Sequence, residues 1–548
     1  MAKQRFSGAL NAASFPLVSV LQNRTVVQPQ LDSGTRQNQQ FYGTPESAEQ
    51  SIPRLLYGEN VVPTAEGLQS VSYEDIIPAL AGAIDFDQAI TLRDTNENNF
   101  LFSPAQGKNY IYRANTGAWV STNPITGANS KVVTRAYVNG RTIICYEGLG
   151  IYEYNSTTNT FNKLTFTGLT DSAVRGIASS NNYMIAYTDI TVYWSSLIDP
   201  TDYTPSLTTG AGFSIPQDVK ARISAVLGTA GGFIIYTAKN AVAAVYSQNI
   251  RAPFSFKEIA NAGGVTTYEQ ITSDQNSGPQ YAWTTGGLQK ITVQGAETVS
   301  AEINDFLAGR MYETFDTSTK QLTTVYVGAA EFDVKVTYIG SRYLIVSYSV
   351  DNSGVYQYAL VMDTVLKRWG KLKISHVDAF AYPYPNVNGD LAYSDLVTVA
   401  YGSMGSTSYA GLANGLASVV PSKKTIAFLL ADGTTKLMSM DYNKIGIAPA
   451  VAIFGKFQLL RARMITLQTV DIEGTYPDVS GAPVVSATLL TSLDGKNLTT
   501  VNPLVLLEAN TRVRRYAKRA TGLNLAIAVE GSFSLSSYVL EVTAEGDR

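Results

Sequence analysis

A chain of 548 residues, 45% of them hydrophobic, can fill two or three packed cores and is not a disordered tail. Its formal net charge of -3 speaks against a dedicated nucleic-acid binder held by phosphate neutralisation. With one cysteine, Cys145, and one histidine, His376, it has no disulfide framework and no thiolate or imidazole metal set, and no cofactor is implied.

Tyrosine dominates the aromatic set, 33 against 20 Phe and 4 Trp, amid many Thr, Ser, Asn and Gly residues, which suits half-buried pleated surfaces joined by turns and points to an all-β chain. Only 16% of residues are charged, below the roughly 25% of an average soluble domain, so neutral polar groups or partner subunits must cover much of the surface. No stretch reaches the roughly 18 apolar residues of a membrane span.

In chain order, residues 1–54 read as an extended arm without a core of its own. Its mild apolarity is broken by Asn11, Ser14 and Pro16, which is not the pattern of a signal peptide. Lys3, Arg5 and Arg24 precede the first acid, Asp32, and with Phe15 they suit an arm laid along a neighbouring subunit; a mobile terminus is the alternative.

From residue 55 to about 450 short strands alternate with Gly, Asn and Asp turns, and one phrase recurs. It is YRANTGAW at Tyr112–Trp119, YNSTTNTF at Tyr154–Phe161, MDTVLKRW at Met362–Trp369 and MDYNKIGI at Met440–Ile447. The outer residues are seven apart and the first closes an alternating strand, as in a hairpin with a polar turn and a large apolar residue opening the partner strand. Strands VYW (Val192–Trp194), AVAAVYS (Ala241–Ser247) and GLQKITV (Gly287–Val293) fill gaps between the copies. Tyr112 to Tyr154 is 42 residues and Tyr154 to Trp194 is 40, at the lower end of the roughly 40 to 50 residue period of propeller blades. A β-propeller of about six or seven blades is therefore expected. One helix is predicted over AEINDFLAGRMYE, after a Ser300 cap, with Ile303, Phe306, Leu307 and Met311 on one face.

Beyond 450 the strands lengthen and the Asp-Gly turn SLDGKN appears, so residues 451–548 read as a β-sandwich-like subdomain or as strands that return to close the propeller. In RVRRYAKR, a strand would place Arg512, Arg514 and Lys518 on one face, toward an acidic neighbour, DNA phosphates or solvent.

Catalytic constellations are weak. His376 and Asp378 would share a strand face, but a hydrogen-bonded structural histidine is the expected role. The carboxylate pairs Asp85/Asp87 and Asp199/Asp202 have a glycosidase-like composition, yet turns are rich in Asp for backbone reasons. TTGAG at Thr208–Gly212 lacks the Lys of a phosphate loop. The chain is expected not to be an enzyme.

Several phrases carry a resemblance. LLYGENVVPTAEGLQSV at Leu55–Val71, the strand VYW followed by LIDPTDYTPSLTTGAG at Leu197–Gly212, RAPFSF at Arg251–Phe256 and the C-terminal GSFSLSSYVLEV resemble β-propeller tail proteins of short-tailed bacteriophages, the group of tail nozzle, hub and head-stabilisation proteins. The signature loop is carried by Trp194, Ser195, Asp199, Pro200, Asp202 and Pro205. The resemblance implies a virion tail protein made in the host cytoplasm, arranged as a ring, often of six copies, around the DNA-exit channel. It would touch neighbouring tail or adaptor proteins and pass DNA without sequence-specific binding. A receptor-binding propeller that reads a host surface is the alternative function, and a glycoside hydrolase a third.

Overall fold

A computed structural model describes residues 3–9, 55–80, 85–95, 99–105, 108–113, 118–125, 133–273, 278–299, 312–316, 318–319, 321–325, 333–339, 342–349, 354–382, 426–440, 450–457, 465–477, 485–492, 499–507, 513–516, 520–522 and 524–544. Among the described residues, seven four-stranded antiparallel blades follow one another. Blade 1 is Ile90–Arg93, Asn99–Ala105, Lys108–Tyr112 and Trp119–Ser121, and blade 2 is Val133–Val138, Arg141–Tyr146, Gly150–Asn155 and Thr160–Lys163. Blade 3 is Gly176–Ser180, Tyr183–Tyr187, Val192–Trp194 and Gly212–Ser214, and blade 4 is Ile223–Thr229, Gly232–Thr237, Ala241–Tyr246 and Phe254–Glu258. Blade 5 is Ile271–Ser273, Gln280–Thr284, Gly287–Thr292 and Gly295–Thr298; blade 6 is Asp333–Ile339, Tyr343–Ser349, Tyr356–Asp363 and Arg368–His376. Blade 7 takes Asp378–Ala381, Ile426–Leu429 and Thr435–Ser439 from one end of the ring, and its fourth strand, Ser72–Ile77, from the other.

The recurrent phrase is the hairpin of third and fourth strands. Tyr112 faces Trp119, Tyr154 faces Phe161 and Met362 faces Trp369 as direct cross-strand partners, and Trp119, Phe161 and Trp369 are buried. VYW, AVAAVYS and GLQKITV are the third strands of blades 3, 4 and 5. The fourth copy of the phrase departs from this pattern. Its strand, Thr435–Ser439, pairs with Ser72–Ile77, because ring closure supplies the partner from the other end of the chain; residues 441–447 lie outside the described residues.

Apolar side chains form one cluster between successive blades. Phe100, Phe102, Tyr146 and Phe161 fill the space between blades 1 and 2, and Tyr183, Trp194, Phe233 and Phe254 that between blades 3 and 4. Between blades 7 and 1, Phe86, Trp119 and Phe380 do the same.

The C-terminal strands build a sandwich and do not close the ring. One layer runs Leu55–Glu59, Ala450–Phe457, Asn524–Gly531, Val485–Ser492 and Thr499–Leu507. Alternation along Ala450–Phe457 sends Ala450, Ala452 and Phe454 toward Leu467, Val470, Ile472 and Leu535 of the second layer, and sends Val451 and Ile453 to the opposite face with Tyr57 and Phe315. The second layer, Ile465–Thr475 and Ser534–Ala544, continues the sheet of blade 6 through Val61–Pro63 and Leu68–Ser70.

The boundary expected at residue 55 therefore moves. Leu55–Ser70 belongs to the sandwich and the junction, and the propeller begins at Ser72. Gly370 is needed there, since a Cβ on it would overlap the Val61 carbonyl oxygen. Of the expected helix, residues 301–311 lie outside the described residues, while Tyr312 and Glu313 open a strand, Tyr312–Asp316, paired with Gln321–Val325.

In the expected arm, Lys3–Ala9 is a strand, with Lys3 and Arg5 in it, paired antiparallel with Ser537–Thr543. Phe15 and Arg24 lie outside the described residues. Of the basic run, Val513–Tyr516 is a strand, with Arg514 opposite Ile472, and pairs with Ile465–Thr475, as does Ala520–Gly522; Arg512 and Lys518 lie outside the described residues.

Candidate functional site

The inner strands of all seven blades line a central cavity of about 1050 Å³. Polar and apolar groups share its wall almost equally, and each blade is hydrogen-bonded to the next. Arg135 donates to the Thr91 carbonyl between blades 1 and 2, and the Ile177 N–H donates to Thr134 Oγ1 (2.7 Å) between blades 2 and 3. Ser180 Oγ donates to the Gly232 carbonyl (2.6 Å), Gln280 Nε2 to the Leu227 carbonyl (3.1 Å), and the Tyr338 N–H to Thr272 Oγ1 (2.9 Å), joining blades 3 to 4, 4 to 5 and 5 to 6.

The last two junctions share one carboxylate. Asp378, opening blade 7, lies 2.9 Å from Lys335 Nζ of blade 6 and accepts the Ala89 N–H (2.7 Å) at the entrance to blade 1. Burial raises the Asp378 pKa and Lys335 opposes that rise. For Lys335, burial disfavours the charge, but Asp378, Glu269 and Asp333 more than offset it and its pKa rises. Asp87 and Asp333, on the same wall, are raised by burial and by like charges, Asp85 and Glu269 for the first and Glu269 for the second. The cluster is an acid-rich network around one ammonium, and it clasps the ring where its two chain ends meet. Among the described residues no group of three His, Cys, Asp or Glu side chains has the arrangement of a metal site.

His376 ends blade 6, buried between that blade and blade 7. Its Nδ1 lies 2.8 Å from the Ile374 carbonyl, its Nε2 lies 2.8 Å from Ser347 Oγ, and its ring meets Phe428 edge-on. Burial lowers its pKa to about 4. Asp378 belongs to the next strand, beyond a bend at Val377, and its partners are Lys335 and the Ala89 N–H, whereas those of His376 are Ile374 and Ser347.

The signature loop joins the third and fourth strands of blade 3 and is held by its own polar side chains. Trp194 is buried against Phe254 (ring centroids 5.5 Å apart) and donates from Nε1 to the Gly210 carbonyl (2.8 Å). Ser195 Oγ accepts the Met184 N–H (3.0 Å), Asp199 accepts the Thr201 N–H (2.9 Å), and Asp202 accepts the Thr204 N–H (2.9 Å) and the Thr167 hydroxyl (2.8 Å). Both carboxylates of the Asp199/Asp202 pair are thus turn acceptors rather than a converging acid–base pair. Pro200 is buried and Pro205 exposed. Phe254, from RAPFSF, completes the same core, so two separate phrases of the resemblance meet at the contact of blades 3 and 4.

Beside the exposed polar Asp199, Thr204 and Thr208, this loop presents large apolar side chains outward. Ile198 is 79% exposed and Leu207 67%, with Phe213, Ile215 and Ile250 exposed on the adjoining strand and loops. Among the residues whose burial is described, no Tyr or Trp falls in the exposed class. Nothing in the spacing of the sequence singles out Lys335 or Asn60, which the fold makes central. Asn60 sits at φ 56° in the junction and accepts the Lys373 N–H (3.0 Å) and the Tyr73 hydroxyl (3.1 Å) on its side-chain oxygen. The Asn60–Val61 step into an apolar pair was the only local signal of a turn there.

Strand topology defines the class: a seven-bladed β-propeller closed by an N-terminal strand and joined to a β-sandwich. No protein-family model matches the chain, and no curated protein matches it at a significant level. Among solved structures it is similar to YCF48 from Cyanidioschyzon merolae, at 11% identity and a TM-score of 0.38, covering 67% of this chain and 99% of that one. The blade assignment rests on the pairing registers rather than on that likeness.

Proposed function

We propose that this chain is a structural subunit of a bacteriophage tail that assembles with copies of itself as a ring around the DNA-exit channel. The observation that carries the assembly half is the set of large apolar side chains exposed on blades 3 and 4: Ile198 and Leu207 on a loop held by its own hydrogen bonds, and Phe213, Ile215 and Ile250 on the adjoining strand and loops. Apolar surface left open to solvent by neighbouring elements is the mark of a contact site. The virion half is supported by the resemblance of the phrases that build this loop and its neighbours.

A cavity of about 1050 Å³ is on the scale of a small-molecule site, so in this reading the DNA passes between copies and not through one propeller. The net charge of -3 suits a bore that lets phosphates slide. The receptor-binding alternative would be favoured by exposed aromatic clusters, and the exposed set is mainly aliphatic.

The test compares wild type with Ile198→Asp/Leu207→Asp by light scattering, alongside electron microscopy of particles labelled on this protein. Wild type should form a closed oligomer and label the tail, and the variant should keep its melting temperature while falling to monomer. A wild type that stays monomeric at high concentration, or label at a site away from the tail, overturns the proposal.

A further inference from the structure

The last strand, Ser534–Ala544, has two edges. Ile465–Thr475 occupies one along its whole length. On the other, Leu68 and Gln69 cover only Leu535 and Ser534, and Lys3–Ala9 covers the rest, from Ala9 opposite Ser537 to Lys3 opposite Thr543. Without Lys3–Ala9, the main-chain groups along Ser537–Thr543 on that edge would be bare, the state that sheets avoid because it recruits other strands.

The register sets Arg5 opposite Glu541 and Phe6 opposite Leu540. Between Ala9 and Leu55 lie residues 10–54, whose fully extended length at about 3.3–3.6 Å per residue is about 150 Å. That contour length is long enough for the strand to meet a neighbouring copy.

We propose that Ser537–Thr543 is a strand-acceptor site and that its occupant in the assembly is Lys3–Ala9 of a second copy of this chain. An edge recognises main chain, so a neighbour's strand makes the same ladder as the chain's own, and which of them docks is set by effective concentration. Copies held side by side in a ring supply that concentration, and each exchange adds a link between subunits with no new contact surface. This rests on the proposed self-assembly, and the experiment separates the two.

Full-length Arg5→Cys and full-length Glu541→Cys chains, distinguishable by a tag, are co-expressed and treated with a short bis-maleimide. Cys145 is buried and its thiol pKa is pushed up by that burial, so it does not compete. The expected product is a covalent dimer of one chain of each kind, much reduced when Ala9→Cys, which stands opposite Ser537, replaces Arg5→Cys. An oligomer in which only the double variant Arg5→Cys/Glu541→Cys links, within one chain, overturns the exchange alone. An oligomer with no link in either arrangement overturns the pairing. A monomer by light scattering overturns the assembly reading on which both depend.

Discussion

Trp119 shows how one side chain serves two blades. Its ring packs on Phe86 (centroids 5.2 Å apart) and Tyr112, while Nε1 donates to the Gly433 carbonyl of blade 7 (3.1 Å). Truncation to Ala removes a buried aromatic and leaves that carbonyl without its donor, so Trp119→Ala should cost about 3 to 5 kcal/mol in chemical unfolding. A change below about 1 kcal/mol would contradict its place in the core. His376 makes a second prediction. Its folded pKa of about 4 lies below the ordinary 6.5, so the unfolded chain takes up the proton first. The stability it contributes is complete above pH 6.5 and is lost as pH falls toward 4, by up to about 1.4 kcal/mol per pH unit. Asp87, Asp333 and Asp378, with raised pKa values, act in the opposite sense as they protonate. The measurement is therefore the difference in slope of melting temperature against pH between wild type and His376→Asn. Identical slopes from pH 7 to 4.5 would show that His376 is not buried in its neutral form.

At the scale of elements, the ring is as stable as its closure. Ser72–Ile77 completes blade 7, with Ser72 directly opposite Ser439, both buried. A disulfide between Ser72→Cys and Ser439→Cys would close a loop longer than 100 residues, for which chain entropy gives roughly 5 kcal/mol of stabilisation. Oxidised protein should unfold at a clearly higher denaturant concentration than the same protein reduced. Equal midpoints would mean that this strand does not hold the ring shut. The hairpin phrase was legible because its outer residues are cross-strand partners, and that relation survives a local reading. MDYNKIGI broke the pattern for a reason no local reading contains: the partner of its strand is more than three hundred residues away.

For the whole molecule, the propeller and sandwich share a continuous sheet through Val61–Pro63 and Leu68–Ser70, so residues 55–70 bind the two bodies together. Lys3–Ala9 adds only to the part of the Ser534–Ala544 edge that Leu68 and Gln69 leave open. A chain beginning at Ile52 should therefore keep the main melting transition of the full-length protein within a few degrees, while losing its place in assembled particles. Normal incorporation of that shorter chain, counted by quantitative gel analysis of particles, would make the arm dispensable.

By itself the sequence determined the all-β class, the blade hairpins and the identity of their buried aromatics, because alternation at period two and seven-residue hairpin ends are local relations. It also marked the loop around Trp194, whose turn residues act within a few positions of one another. Only the tertiary structure decided that the blades number seven, that Ser72–Ile77 closes the ring, that Leu55–Ser70 belongs with the C-terminal strands, and that Asp378 and Lys335 meet at the axis. These are pairings between residues far apart in the chain, and hydrogen bonding between strands is indifferent to sequence separation, so nothing in the local pattern encodes them.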